Sequence, residues 1–318
     1  MDLKPKVSIC IVTYNQEEYI EETVMSAINQ NVDFDYDILI GDDCSSDNTP
    51  KIVERLQKKY PKKIKLHLRC DNLGAAKNII DLYKKATGEY IAHLDGDDLM
   101  GPNKLSLQTS ILDQYENIFY CTHDVSIINN ASEQTKSSYR RWPEGEHDLN
   151  KLLSQLPFFA HSSKVFRNKV PDSCWEYLSF DNMIDIEMHV EHAKLGLIYH
   201  IDKTLGSYRV FSGVSSINKQ VNPLLPEATR RVFHKICHDR PNVNLKKNFA
   251  KAMLAYSYQS GLFHDKAMAK YYAKESFDAA YFSPLQIIFY LLSFFPSLLV
   301  TFIRSLKYLK ELKVVVFR

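Results

Sequence analysis

The chain carries little excess of either charge. Lys and Arg number 40 against 38 Asp and Glu, a formal net charge of +2, which argues against a dedicated nucleic-acid binder. It has no CxxC pair. Its six cysteines, Cys10, Cys44, Cys70, Cys121, Cys174 and Cys237, are scattered and read as reduced, mostly structural thiols of a cytosolic protein. No secretory leader is expected, because the apolar run 7–12 is too short for a signal-peptide core and follows Pro5. Several clear membrane-spanning runs are likewise missing. No glycine-rich phosphate loop follows the first strand, which counts against a GxGxxG dinucleotide fold and against a P-loop. With 318 residues, 45% hydrophobic and 25% charged, the chain suits one large domain or a medium domain with an appendage.

What is present is a regular alternation of apolar runs and helical periods. Residues 6–12 (KVSICIV) read as a strand ending at Thr13, Tyr14 and Asn15. Ile20, Val24, Ala27 and Ile28 then share a helical face behind acidic first turns. Residues 37–40 (DILI) form a second strand ending in Gly41, Asp42 and Asp43, and Thr49-Pro50 opens the next helix. A third strand spans 63–68 and a third helix follows Asn72 as far as Ala86. This alternation is the pattern of a mostly parallel sheet covered on both faces.

Residues 88–102, GEYIAHLDGDDLMGP, organise the rest. A short buried-strand run ends in Asp95, Gly96, Asp97 and Asp98. Carboxylates crowded this closely repel one another unless a cation sits among them, and oxygen-only donors suit Mg²⁺ or Mn²⁺. A solvated acidic turn is the alternative. In parallel α/β sheets ligands gather at the carboxyl ends of the strands. Thr13–Asn15, Asp42–Asp43 and Asp95–Asp98 all fall at that end, and this coincidence is the main physical signal for a site.

Further along, 105–115 reads as a helix, 118–125 as a strand, 129–138 as a loop, 180–194 as a helix stopped by Gly196, and 197–200 as a strand. Asp185, His189 and His192 share a helical face. The histidines read as solvent-facing or core hydrogen-bonding groups rather than as zinc ligands. From about residue 216 the pattern is all-helical, with a helical hairpin over 250–279 around Gly261.

Residues 282–303 hold no charge, but Pro296 and several polar residues interrupt them, and a basic tail follows. This reads as an in-plane or re-entrant anchor on an anionic membrane face, with a buried helix pair, in a homodimer interface for example, as the alternative.

VSICIVTYNQEEYIEETVMSAINQ, DILIGDDCSSDNT, NLGAAKN and GEYIAHLDGDD with Pro102 occur in this order within residues 7–102, and the likeness they carry extends over about residues 6–215. Together they resemble the family 2 glycosyltransferases of the GT-A fold. The resemblance implies an α/β, Rossmann-like, mixed but mostly parallel sheet with helices on both faces and a C-terminal helical extension. The transferase domain would span 1–215, a helical appendage 216–280 and a membrane-association segment 281–318.

It also implies an inverting enzyme that moves a sugar from a nucleoside diphosphate donor, UDP-sugar first, to a saccharide or lipid-linked acceptor. That activity would serve surface-polysaccharide synthesis at the inner face of the membrane, with no nucleic-acid partner. By the same resemblance, Thr13 and Tyr14 hold base and ribose, and Asp43 hydrogen-bonds the base. Asp97 ligates Mn²⁺ or Mg²⁺, and Asp95 contacts ribose or metal. Asp185 is the catalytic base, counted back from Gly196, with Asp181 as the fallback. Lys77 adds charge near the diphosphate or is a solvated surface lysine.

Two departures stand out. The family's Tyr-Arg-x-His reads Tyr208-Arg209-Val210-Phe211 here, so no histidine ligand is present and Arg209 is expected to carry more of the diphosphate charge. No QxxRW follows, which argues against a processive synthase. A DxD-type Mg²⁺ phosphohydrolase and an inactive scaffold remain as alternatives. The first is disfavoured because its aspartates should follow the first strand.

Overall fold

The computed structural model describes residues 4–136, 138, 142–156, 159–210, 220–240 and 245–316, with side chains to 308. The chain divides into two units: residues 1–152 with 157–213, and residues 153–156 with 214–318.

The first unit opens with β1 (Val7–Thr13), α1 (Ile20–Ile28), β2 (Tyr36–Asp42), α2 (Thr49–Lys59), β3 (Ile64–Leu68), α3 (Ala75–Lys85) and β4 (Tyr90–Asp95). It continues with β5 (Leu99–Met100), α4 (Lys104–Gln114), β6 (Ile118–Ile128), β7 (Gln134–Lys136), β8 (Gly145–His147) and α5 (Leu149–Ser154), whose last two residues are counted with the second unit. A 3₁₀ turn (His161–Ser163), β9 (Val165–Arg167), α6 (Asp172–Leu178), α7 (Asp185–Ala193) and β10 (Leu197–Arg209) complete the order.

The strands form one sheet in the order β3-β2-β1-β4-β9-β6-β10-β5, with β7 added on β6 and β8 on β10. Pairs among β1 to β4 are parallel, as is β6 with β10, while β9 runs antiparallel between β4 and β6. Every residue of β1 and of β2 is buried, as expected of parallel strands covered on both faces. Alternate residues show the two covers. Ile9 and Ile11 join the core with Ile20 and Val24 of α1, Val53 of α2 and Leu105 of α4. Cys10 points the other way, its Sγ meeting the Leu82 carbonyl of α3 at 4.0 Å.

The register sets the ends of three strands side by side: Val12 pairs Asp95 and Thr13 pairs Asp42. Two stretches differ from expectation. Gln134–Lys136 is a strand, not loop; its three residues are exposed and polar, and only antiparallel pairing with β6 makes them a strand. β10 extends to Arg209, well beyond residue 200, because pairing with β6 continues across register shifts that break the alternation a strand would show. The expected helix over 180–194 begins at Asp185.

The second unit contains α8 (Leu224–Asp239), α9 (Lys246–Leu262), α10 (Lys266–Ala279), α11 (Pro284–Ser293) and α12 (Pro296–Val316). Leu254, Ala269 and Ala273 of the α9–α10 hairpin share a core with Phe289, Leu299, Val300 and Ile303 of the last two helices. A Cβ at Gly261 would meet Ile303 Cδ1 at 2.4 Å, so glycine is what lets α12 approach α9. The uncharged run therefore folds as two helices. Its outer side leaves Leu285, Ile288, Leu291, Phe294, Phe295 and Leu298 exposed. Among the described residues no helix is long and apolar enough to cross a membrane.

Candidate active site

The site is built on the turn after β4. Gly96 donates its N–H to the Val12 carbonyl at 2.9 Å. A Cβ at this position would sit 2.8 Å from Thr13 Cβ and 2.3 Å from Gln16 Oε1. Only glycine lets the DGDD turn lie against the end of β1, and this fixes where Asp95 and Asp97 emerge.

Asp95 is held from behind. Tyr83 of α3 faces His93 Nδ1 at 2.7 Å, and His93 Nε2 lies 3.0 Å from Asp95 Oδ1. Burial keeps Tyr83 protonated and His93 neutral. The Tyr83 hydroxyl therefore donates to Nδ1, and the imidazole Nε2–H donates to the carboxylate. Ser162 closes the other side. Its Oγ accepts the Asp95 N–H at 3.1 Å and lies 2.5 Å from Asp98 Oδ2 and 3.1 Å from Asp95 Oδ2. Ser162 Oγ thus lies between two carboxylates. Burial first, then Asp97 and Asp95, push the Asp98 carboxyl up, eased by the Ser162 hydroxyl and the Arg209 N–H that donate to it.

Asp95 is pushed up by burial as well, eased by His161 and Ser162 and reinforced by Asp185. A third of its side chain still reaches solvent, so water screens part of that push. Lys104 is fully buried beneath the turn, 2.5 Å from the Ser162 carbonyl, and burial lowers its pKa to about 7.

Arg209 is placed differently from its expected role on a diphosphate. Its guanidinium is enclosed and spent on the protein. Nε donates to the Asp97 carbonyl (2.8 Å), Nη1 to the Asn129 carbonyl (2.6 Å), and Nη2 to Ser132 Oγ (3.0 Å) and Glu22 (3.2 Å). Tyr19 covers it at 4.5 Å. The physical reason is the length of β10, which carries Arg209 into the sheet edge behind the turn. Phe211, two residues on, lies outside the described residues.

The other expected residues line the same rim. Thr13 is buried and donates to Gln16 Oε1 at 2.8 Å, whereas Tyr14 is exposed. Asp43, buried after β2, accepts the N–H of Leu73 (2.9 Å) and of Gly74 (2.8 Å), tying the loop before α3 to the rim. Gly74 sits at φ 85°, a conformation that favours glycine. Lys77 and Asp181 are exposed and pair with each other at 2.9 Å, and that pairing holds the Asp181 carboxyl below its usual range.

Asp185 is the first residue of α7, where helix N–H groups favour a carboxylate. Its Oδ1 accepts the Ile186 N–H at 2.9 Å, and a third of the side chain is exposed. It is linked to Asp95 through a layer of imidazoles: Asp185 lies 3.7 Å from His189, His189 3.3 Å from His161, and His161 rests on His93, which donates to Asp95. Below it sits a buried layer that sequence reading did not assemble. His161 packs against His93 with centroids 3.7 Å apart and the rings inclined at 46°. His161 Nδ1 faces His189 Nε2 at 3.3 Å, and His189 Nδ1 faces Lys164 Nζ at 3.3 Å. Lys164 is fully buried over the Tyr120 and Phe166 rings, and burial lowers its pKa to about 7. The only signal in the sequence was the polar insert His161-Ser162-Ser163 inside an apolar run. Nothing local marks Lys104 or Lys164 as interior.

Asp95 and Asp97 are oxygen donors two residues apart in a crowded acidic turn, and Asp95 is pushed up by burial, a cost that a hard divalent cation would relieve, so the residues present fit Mg²⁺ or Mn²⁺.

The family model "Glycosyl transferase family 2" matches residues 8–174. An uncharacterised protein of Mycobacterium tuberculosis is 33% identical over 214 residues, covering 64% of this chain and 58% of the relative, so the chain spans little more than half of that protein's length. The abequosyltransferase RfbV of Salmonella typhimurium is 31% identical over 272 residues, 78% of this chain and 80% of the relative. Among solved structures, residues 1–349 of TarS from S. aureus, in complex with UDP-GlcNAc, align with a TM-score of 0.63 at 19% identity, covering 86% of this chain and 81% of that one. At that identity the likeness is one of fold.

Proposed function

We propose that this chain, which belongs to glycosyl transferase family 2, moves a sugar from a nucleoside diphosphate donor to a hydroxyl of a saccharide or lipid-linked acceptor, with inversion, in surface-polysaccharide synthesis. The observation that supports the reading is the acidic turn at the end of β4, joined through the His93, His161 and His189 layer to Asp185 at the start of α7. UDP is the first nucleotide to consider, because TarS holds UDP-GlcNAc on the same fold.

Asp97 and Asp95 would hold the Mg²⁺ or Mn²⁺ ion. When bound, the ion supplies positive charge against the diphosphate as it leaves. The chain's own groups do the rest. Thr13, Tyr14 and Asp43 line the place for the nucleoside. The Tyr83–His93 chain and Ser162 orient Asp95. Arg209 fixes the backbone of Asp97 rather than touching the donor. Asp185 takes the proton of the acceptor hydroxyl as its oxygen bonds to the anomeric carbon, and the bond from that carbon to the diphosphate breaks on the opposite face. Lys77 is tied to Asp181 and reaches a diphosphate only by leaving that pair.

The exposed apolar side of α11 and α12, with Arg304 and Lys307 on α12, supports peripheral contact with an anionic bilayer, where a lipid-linked acceptor would be found.

The test is calorimetric titration of the protein with UDP, with and without Mn²⁺, followed by a panel of UDP-sugars. Metal-dependent binding supports the reading and selects the donor. No binding of UDP, GDP or dTDP would overturn it.

A further inference from the structure

We propose that His161, His189 and Asp185 form a second cation site, distinct from the Asp95–Asp97 pair and suited to Zn²⁺ or a similar nitrogen-seeking ion. One ligand atom from each residue lies within 4.8 Å of the others. His161 Nδ1 and His189 Nε2 are 3.3 Å apart, and His189 Nε2 is 3.7 Å from Asp185 Oδ2. Zinc at roughly 2.0–2.1 Å from nitrogen and oxygen in a tetrahedron sets its ligand atoms about 3.3 Å apart, so little movement closes the set.

The ring arrangement agrees. The two imidazoles are inclined at 61° with centroids only 4.9 Å apart. Rings meeting end to end through atoms 3.3 Å apart would hold their centroids farther apart, so both nitrogens lean toward one side rather than straight at each other.

The surroundings fit as well. Burial keeps both imidazoles neutral, so each ring has one lone pair to offer once its N–H lies on the nitrogen away from the ion. The other nitrogen of His189 faces the Lys164 amine at 3.3 Å, a group that is partly neutral near pH 7 and can accept the Nδ1–H of a metal-bound ring. His161 would use Nδ1, the nitrogen that faces His189, while its Nε2 is buried on the other side of the ring. Asp185, a third exposed, provides the path in from solvent.

The set differs from the helical trio Asp185–His189–His192 suggested by spacing alone. His192 is turned into a nest of Phe119, Phe166 and Trp175. His161, from the 3₁₀ turn, takes its place. Two nitrogens and one oxygen suit Zn²⁺, Co²⁺ or Ni²⁺, whereas the aspartates of the β4 turn suit Mg²⁺ or Mn²⁺. An ion here would occupy Asp185, so if Asp185 is the base, as proposed above, Zn²⁺ inhibits transfer even with Mn²⁺ saturating. The site itself does not rest on that reading.

Co²⁺ titration of the metal-stripped full chain tests it, without nucleotide and with thiols alkylated beforehand because Cys70 and Cys237 are exposed. The expected result is the intense visible absorption of four-coordinate Co²⁺, saturating at one equivalent and displaced by Zn²⁺. It should persist in Asp97→Asn and disappear in Asp185→Ala, whose altered side chain is partly exposed and leaves the core intact. No such absorption in the wild type, or the same absorption in Asp185→Ala, would overturn the proposal. UDP binding with Mn²⁺ is measured on the same preparation, so failure here and failure of the transferase reading are told apart.

Discussion

Arg209 grips the β4 turn at two consecutive residues. Its Nε donates to the Asp97 carbonyl and its own N–H to Asp98 Oδ1, each at 2.8 Å. The last residue of β10 thereby sets the backbone of a metal-ligand candidate more than a hundred residues earlier. Arg209→Lys cannot reproduce the fork that also reaches Asn129 and Ser132. Each buried acceptor left without its donor costs about 1–3 kcal/mol. Thermal melting should show that loss, and Mn²⁺-dependent UDP affinity should fall with it. An unchanged melting temperature would mean that the turn holds itself.

Asp97→Asn keeps the shape of the side chain and removes its charge. Metal-dependent UDP binding should fall to the metal-free level while the fold persists. Equal Mn²⁺ enhancement in wild type and variant would remove Asp97 from the metal.

Asp185→Asn should lower transfer by about 10² to 10⁴-fold, the range general-base catalysis contributes, with UDP affinity nearly intact. Asp181→Asn should change rate little, because Asp181 is exposed and bound to Lys77. A large rate loss in Asp181→Asn with none in Asp185→Asn would reverse the assignment.

The buried imidazoles make folding sensitive to acid. Burial lowers the pKa of His93, His123, His161, His189 and His192 well below the usual range, and that of His200 to about 4. For His200, burial and then His147 lower the pKa, and together they outweigh the opposing Asp202 carboxylate. Below about pH 6.5 the unfolded chain takes up protons that the folded chain refuses, so this stability is complete above pH 6.5 and drains away toward pH 4. His200 alone would account for about 3 kcal/mol across that window. Denaturant midpoints at pH 7.5, 6 and 5 should fall in that order, and His200→Gln should flatten the trend. A midpoint independent of pH in this interval would contradict the buried neutral state.

Phe295 and Leu298 stand 63% and 57% exposed at the corner between α11 and α12. Replacing both with aspartate should leave melting unchanged and abolish sedimentation with vesicles containing anionic lipid. Unchanged sedimentation would place membrane contact elsewhere. A variant that turns monomeric from a dimeric wild type would instead make this face an interface between copies.

The sequence by itself determined the parallel sheet and the rim. β1, β2 and β4 are short runs with their own boundaries, and their polar ends carry the Asp43, Asp95 and Asp97 carboxylates in plain view. Local pattern suffices there, because burial on both faces and the chemistry of turns act within a few residues. Asp185 was visible only by resemblance. The tertiary structure alone decided what stands behind the carboxylates. Ser162 reaches Asp95 across 67 residues, Arg209 reaches Asp97 across 112, and His161 meets His189 across 28. A lysine or histidine has the same local signature on a surface as in a core. Whether it lies inside depends on which distant segments fold over it, and only the packed sheet places Lys104, Lys164 and the imidazoles beneath the site.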